Sequence, residues 1–284
     1  AAKRGFIKDY KKIKILKVPP RKKTFKGSIV FIIFILFPFI LASLLWVRSL
    51  SIDWRVPISI VLSPVNGDGS QAVAEFIALL DESQFKPVID FFTSEAAVYG
   101  IEMEKPLSIV IGKEIEQVLP DRPSKQRIAE QFHWALMMKA LAPKIKAVGT
   151  DINIFLVFYD INRTKQLDLP YRMSPVFISV IDAIADQEKQ QNTNIVIAQE
   201  LLRMAGATDK INTETGEPLY PEGYAEPDIN PLYPQRYAEI MGGSRPLSQQ
   251  RSVKPHSLND TVIGLKTARE IKWVNPEGGG FLNA

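Results

Sequence analysis

The 284-residue sequence contains no cysteine and only two histidines, His133 and His256. The first absence excludes a disulfide scaffold, an iron–sulfur centre, a thiolate zinc site and a cysteine nucleophile. The second excludes a His-rich metal site. No Walker loop, no G-x-S-x-G elbow and no dinucleotide fingerprint occurs. Gly67-Asp68-Gly69 lacks the third glycine and the helix-opening register, so it reads as a turn. There is no internal repeat, coiled-coil heptad or low-complexity tract. At 46% hydrophobic and 23% charged, the bulk of the chain has the composition of a globular protein rather than a disordered one.

The net charge of +4 averages two opposite regions. Residues 1–26 hold 11 Lys or Arg against one acid, Asp9, a net +10; the other 258 residues hold 24 basic and 30 acidic side chains, a net −6. Between them, residues 27–47 form an uncharged apolar run, GSIVFIIFILFPFILASLLWV. At ~1.5 Å rise per residue, such a run covers the ~30 Å hydrocarbon core of a bilayer. It is too long for a signal-peptide core, and Ala42 and Ser43 fall inside it rather than at a cleavage site. Pro38 is tolerated within a membrane span, and Trp46, with Trp54 just beyond, suits the membrane–water interface. The positive-inside rule then places 1–26 as a cytoplasmic tail, 27–47 as one transmembrane helix and 48–284 outside the inner (plasma) membrane. The tail, with Phe6, Tyr10 and Phe25 interleaved among its lysines, reads as a topogenic segment leaning on anionic lipid rather than as a nucleic-acid site. Alternating Ile13, Ile15 and Val18 give it a further interfacial or partner-binding aspect.

The outer part alternates strands and helices. Periodicity predicts strands over Val56–Leu62, Leu107–Ile111 and Ile152–Tyr159, the last central, and a further apolar run over Val176–Ile184. Helices are expected over Gln71–Leu80 with Ser70 as cap, over Ser124–Leu141 with Ile128, Phe132, Ala135, Leu136 and Met138 inward, and over Asn194–Ala205. Val88–Tyr99 reads as helical or mixed, and Pro64–Gly69 as a turn. From 206 to 264 the chain is rich in Pro, Gly, Tyr and Asn and lacks long periodic runs, until a short final helix over Leu265–Trp273. An upper sheet-and-helix part, about 54–206, is thus followed by an irregular lower part, about 207–284. Long irregular stretches in compact domains commonly build functional surfaces. Tyr220, Tyr224, Tyr233 and Tyr237, set among prolines, either form a peptide-docking face or close a loop-rich core.

One segment carries chemistry in its spacing. Ala198-Gln199-Glu200-Leu201-Leu202-Arg203-Met204-Ala205-Gly206-Ala207-Thr208-Asp209 resembles the active-site helix of the metzincin zinc peptidases, H-E-x-x-H-x-x-G-x-x-H/D. Gln199 and Arg203 stand at the two histidine positions, Glu200 at the general base, Gly206 at the turn and Asp209 at the third ligand. Glu239-Ile240-Met241-Gly242 resembles the Met-turn beneath the zinc in that family. The resemblance implies an α+β fold, a mixed sheet with helices in zincin-like order, behind one transmembrane helix. It also implies a loss. Histidines at i and i+4 share one helical face and ligate one metal, and the glutamate between them activates its water. Gln199 is a poor ligand, and Arg203 puts a permanent cation where the metal would sit. The expectation is a pseudo-peptidase without cofactor, serving as a non-catalytic structural or binding subunit among other membrane proteins. Two rivals stand beside it: an active metallopeptidase ligated by Glu200, Asp209 and His256, and an unrelated periplasmic interaction domain. Each residue also has a plainer reading. Glu200 and Arg203 form a surface i, i+3 pair, Gly206 an ordinary C-cap, Met241 a core methionine, His256 an exposed loop residue and His133 a core-edge histidine.

Overall fold

A computed structural model describes residues 37, 52, 54, 58–101, 107–124, 127–142, 151–164, 167–173 and 176–274. The basic tail, almost all of the apolar run at 27–47 and the C-terminal residues after 274 lie outside the described residues. Among the described residues no helix is long and apolar enough to cross a membrane. Leu50–Ala284 forms one compact unit, distinct from Ala1–Ser49.

The unit is α+β. Its main sheet has five strands: β1 (Ile58–Asn66), β2 (Leu107–Ile111), β3 (Asp151–Tyr159), β4 (Tyr171–Met173) and β5 (Ile178–Ile184). The spatial order is β2-β1-β3-β5-β4, with β3 central. All neighbours are parallel except β4, which pairs antiparallel with β5 at the edge. The sheet is therefore mixed. Strand residues alternate between two covered faces. Ile58, Ile60 and Leu62 of β1 and Ile152, Ile154 and Leu156 of β3 share one core with helices α1 (Gln71–Ala78), α2 (Lys86–Val98) and α4 (Gln190–Met204). Val65, Phe155, Val157, Ile178 and Val180 face the other way, onto helix α3 (Ile128–Leu141). Burial on both faces is what near-continuous apolar strands require.

Several local expectations change. β1 runs through Pro64 and Val65 to Asn66, because β3 supplies a partner as far as Phe158; the turn begins only at Gly67. Ser70 does cap α1, its hydroxyl accepting from the Val73 N–H at 3.3 Å. In α3, Trp134, Ala135 and Met138 are buried, whereas Phe132 (66% exposed) and Leu136 (69%) face outward. The apolar residues wrap the whole helix, so periodicity alone had no polar side to orient it. His133 is exposed too, not at the core edge. Trp54 is no interface anchor. It is buried against Phe92 and Trp273, and its indole N–H donates to the Ile271 carbonyl at 3.0 Å.

The lower part holds little regular structure. Strands β6 (Ala238–Glu239) and β9 (Thr261–Val262) pair in parallel, and β7 (Arg245–Ser248) and β8 (Arg251–Val253) form a small antiparallel pair. Helix α5 (Leu265–Glu270) then returns Ile271 and Trp273 to the main core. The buried amide of Gln235 stands in for missing ladders: its Oε1 accepts from the Glu226 N–H, and its Nε2 donates to the Glu226 and Leu232 carbonyls.

Candidate functional site

Helix α4 packs Ile197, Ala198, Leu201 and Leu202 into the core, which fixes the rotation of its remaining faces. Its end is shaped by Gly206. The Gly206 N–H donates to the Arg203 carbonyl and the Ala207 N–H to that of Leu202, the two bonds of a Schellman cap. Gly206 has φ +111, a conformation side-chain-bearing residues avoid. The chain then reverses under the helix, bringing Asp209 back to Arg203.

Arg203 is the hub. Its NH1 donates to Glu200 Oε1 at 2.6 Å, while Nε donates to Asp209 Oδ1 at 2.8 Å and NH2 lies 2.7 Å from the same oxygen. The Glu200 side chain is only 1% exposed, Arg203 12% and Asp209 51%. Glu200 also accepts from the Ser179 hydroxyl of β5 at 3.3 Å and lies 3.7 Å from Arg172 of the edge strand β4. Two carboxylates and two guanidinium groups thus stand where the motif calls for a metal and its ligands. Glu200 and Arg203 are a largely buried i, i+3 pair within α4, not a surface pair, and Arg203 carries it on to Asp209 in the loop below.

The turn below is tied to the same helix. Gln199 Nε2 donates to the Ile240 carbonyl at 2.8 Å, and Met241 is wholly buried in the main core. The Lys210 N–H donates to the Met241 carbonyl at 2.9 Å. Glu239 stabilises the turn from inside by accepting from the Gly242 N–H at 2.7 Å, the Gly264 N–H at 3.2 Å and the Thr267 hydroxyl at 2.5 Å. A Cβ at Gly242 would collide with the Gly223 carbonyl, so two chain segments touch there through glycine. All six motif positions, Gln199, Glu200, Arg203, Gly206, Asp209 and Met241, therefore belong to one assembly.

Sequence reasoning missed three of its members, Lys210, Glu270 and Arg172, and the role of a fourth, Glu239. Lys210 is buried and pairs with Glu270 at 2.8 Å, and Glu270 accepts from both the N–H and the hydroxyl of Thr208. Burial opposes the Glu270 charge, but these donors outweigh it and hold the carboxyl below the usual range. Glu239 is pushed up by burial, against its hydrogen bonds and Lys210. Arg172 had no signal, because an arginine in a three-residue edge strand has no pattern to stand out from. Lys210 adjoined Asp209 and Glu239 opened the quoted turn, and a charged residue at a buried turn was the available clue.

The tyrosines divide. Tyr224 is buried, meets Tyr220 and Tyr233 edge-on, and shares a 3.0 Å hydroxyl contact with Tyr233. It closes the loop core, while Tyr220 and Tyr237 are exposed. His256 is exposed on its loop.

The donor set does not fit zinc. The Gln199 amide is turned to a backbone carbonyl, Glu200 and Asp209 are both engaged by a cation, and His256 does not join them. Among the described residues no three His, Asp or Glu side chains form a metal-holding group. No protein-family model matches the chain, and neither does any curated protein.

Proposed function

We propose that this chain is a non-catalytic, membrane-anchored binding or structural subunit, built on a metzincin-like fold in which a guanidinium has taken the place of zinc. The observation that carries the reading is Arg203, seated between Glu200 and Asp209 in the register of the peptidase motif, above a buried methionine turn. A metal there would join helix and lower loop through charge; Arg203 makes the same join with charge-assisted hydrogen bonds. Glu200 is held in an ion pair rather than left to activate water, which removes the general base. The edge strand β4 is open on its outer side among the described residues. An extended partner segment adds there by main-chain hydrogen bonds, with Arg172 beside it. The apolar run at 27–47 anchors the domain outside the inner membrane, next to the membrane proteins it serves.

The test is metal content together with the variant Glu200→Gln. Purified full-length protein in mild detergent is expected to carry far less than one zinc per chain and to show no thermal shift with a chelator. Glu200→Gln is expected to co-purify with the same membrane partners as the wild type. One zinc per chain, removable with loss of stability, would overturn the reading.

A further inference from the structure

A cavity lies on the opposite face of the sheet from α4. It has a volume of about 960 Å³ and opens at the C-terminal ends of β1 and β3, under the segment that joins β2 to α3. Its place in the topology is the first reason to read it as a site. The chain leaves β1 outward to β2, with α1 and α2 on one face, then returns past β1 to β3 with α3 on the other. Winding reverses between β1 and β3, and crevices at such reversals are where open parallel sheets bind ligands. The size also falls in the range of small-molecule pockets.

The lining defines the ligand. Val65, Val157 and Val180 give an apolar floor. Around it stand five carboxylates, Glu114, Glu116, Asp121, Asp168 and Asp182, with Arg122 as the one cation among the described lining residues. Arg122 is itself committed, to Asp182 through NH2 and to the Leu169 carbonyl through NH1. Asn66 lines the same cavity, and its buried amide oxygen has no hydrogen-bond partner, while its nitrogen donates to Ser70. The carboxylates do not converge as a metal-holding group. The arrangement wants N–H donors and positive charge carried on an apolar stem.

We infer that this cavity binds an organic cation with an aliphatic stem, an alkylammonium or alkylguanidinium group, whose head meets the carboxylates and whose stem covers the valine floor. The same chemistry comes from a free amine or from a lysine or arginine side chain of a partner. The inference stands independently of the role of Arg203.

Titration calorimetry of the full-length protein tests it, with n-pentylammonium and n-pentylguanidinium as probes and n-pentanol and pentanoate as controls. A lysine-centred pentapeptide and its norleucine counterpart form the second arm. Saturable binding of the cations alone is expected, weakened by salt. The double variant Glu114→Gln/Asp168→Asn changes exposed residues and keeps the Arg122–Asp182 pair; it is expected to weaken binding roughly tenfold. Tighter binding of the lysine peptide than of pentylammonium assigns the site to a partner side chain, and the reverse order to a free amine. Arg203→Ala leaves this binding unchanged wherever it remains folded. No saturable binding of any cation, equal binding of n-pentanol, or an unchanged affinity in the double variant overturns the inference.

Discussion

At position 203 one guanidinium satisfies carboxylates on two different segments, and the consequence of removing it depends on how wet each carboxylate is. Asp209 is half exposed, so its share is small, ~0–1 kcal/mol. Glu200 is buried, and losing the partner of a buried charge costs about 3–5 kcal/mol. Arg203→Ala is therefore expected to lower unfolding free energy by about 3 kcal/mol, measured by urea denaturation. Adding Glu200→Gln should restore much of that, because the stranded charge disappears. A loss below ~1 kcal/mol in the single variant would mean that Glu200 is solvated. Glu95 is the second residue whose charge works against burial. It accepts from the Ile263 N–H at 2.6 Å, yet burial, reinforced by the Glu239 charge, raises its carboxyl above the ordinary value, and Tyr99 beside it is pushed up to about 12. For a group raised in the folded state, the stabilising contribution is complete below the unfolded value of 4.5 and is lost as pH climbs through the folded one. Glu95→Gln keeps an oxygen for Ile263 and removes the charge. Its stability should match the wild type below pH 4.5 and exceed it at about pH 8, read from urea midpoints at the two values.

Elements were legible wherever burial was one-sided or bounded by turn residues. The four main strands, the central place of β3 and the helix carrying Gln199 to Arg203 all follow from apolar runs and their spacing. Two kinds of feature were not. Helix α3 carries apolar residues on every side, with Glu130, Gln131, His133 and Lys139 scattered among them, so its inward face was fixed by tertiary packing of Trp134 and Met138 against Phe155 and Val180. The lower part is held by side-chain-to-backbone bonds such as those of Gln235 and Glu239, which have no period to read. The same physics sets an element-level test. Trp134→Ala should cost about 3–5 kcal/mol, while Phe132→Ala should stay within about 0.5 kcal/mol. Equal costs would reverse the assigned face. At the end of α4, Gly206→Ala forces a Cβ into a positive-φ position 3.3 Å from the Glu270 carbonyl. It should cost about 1–3 kcal/mol by thermal or urea denaturation.

At the scale of the whole molecule, the charge step from +10 to −6 flanks the apolar run at 27–47 and sets the expected orientation. On the proposed anchoring, Lys and Arg resist translocation, and residues 1–26 are expected to stay in the cytoplasm with the folded unit on the other side. Only ten residues separate Val47 from Ile58, where β1 begins. A chain spans at most ~3.6 Å per residue, so ten residues make a short tether. On the proposed anchoring, such a tether would favour partners in the same membrane by raising their effective concentration around the domain. Protease added to intact spheroplasts should therefore remove the 48–284 portion and leave a tail-and-span fragment, detected by an N-terminal tag. Replacing Lys11, Lys12, Lys14, Lys22, Lys23 and Lys26 with glutamine weakens the retention signal, and a fraction of molecules should then invert and protect the domain. Full protection of the domain in the wild type would place it in the cytoplasm and remove the tether from the account of its partners.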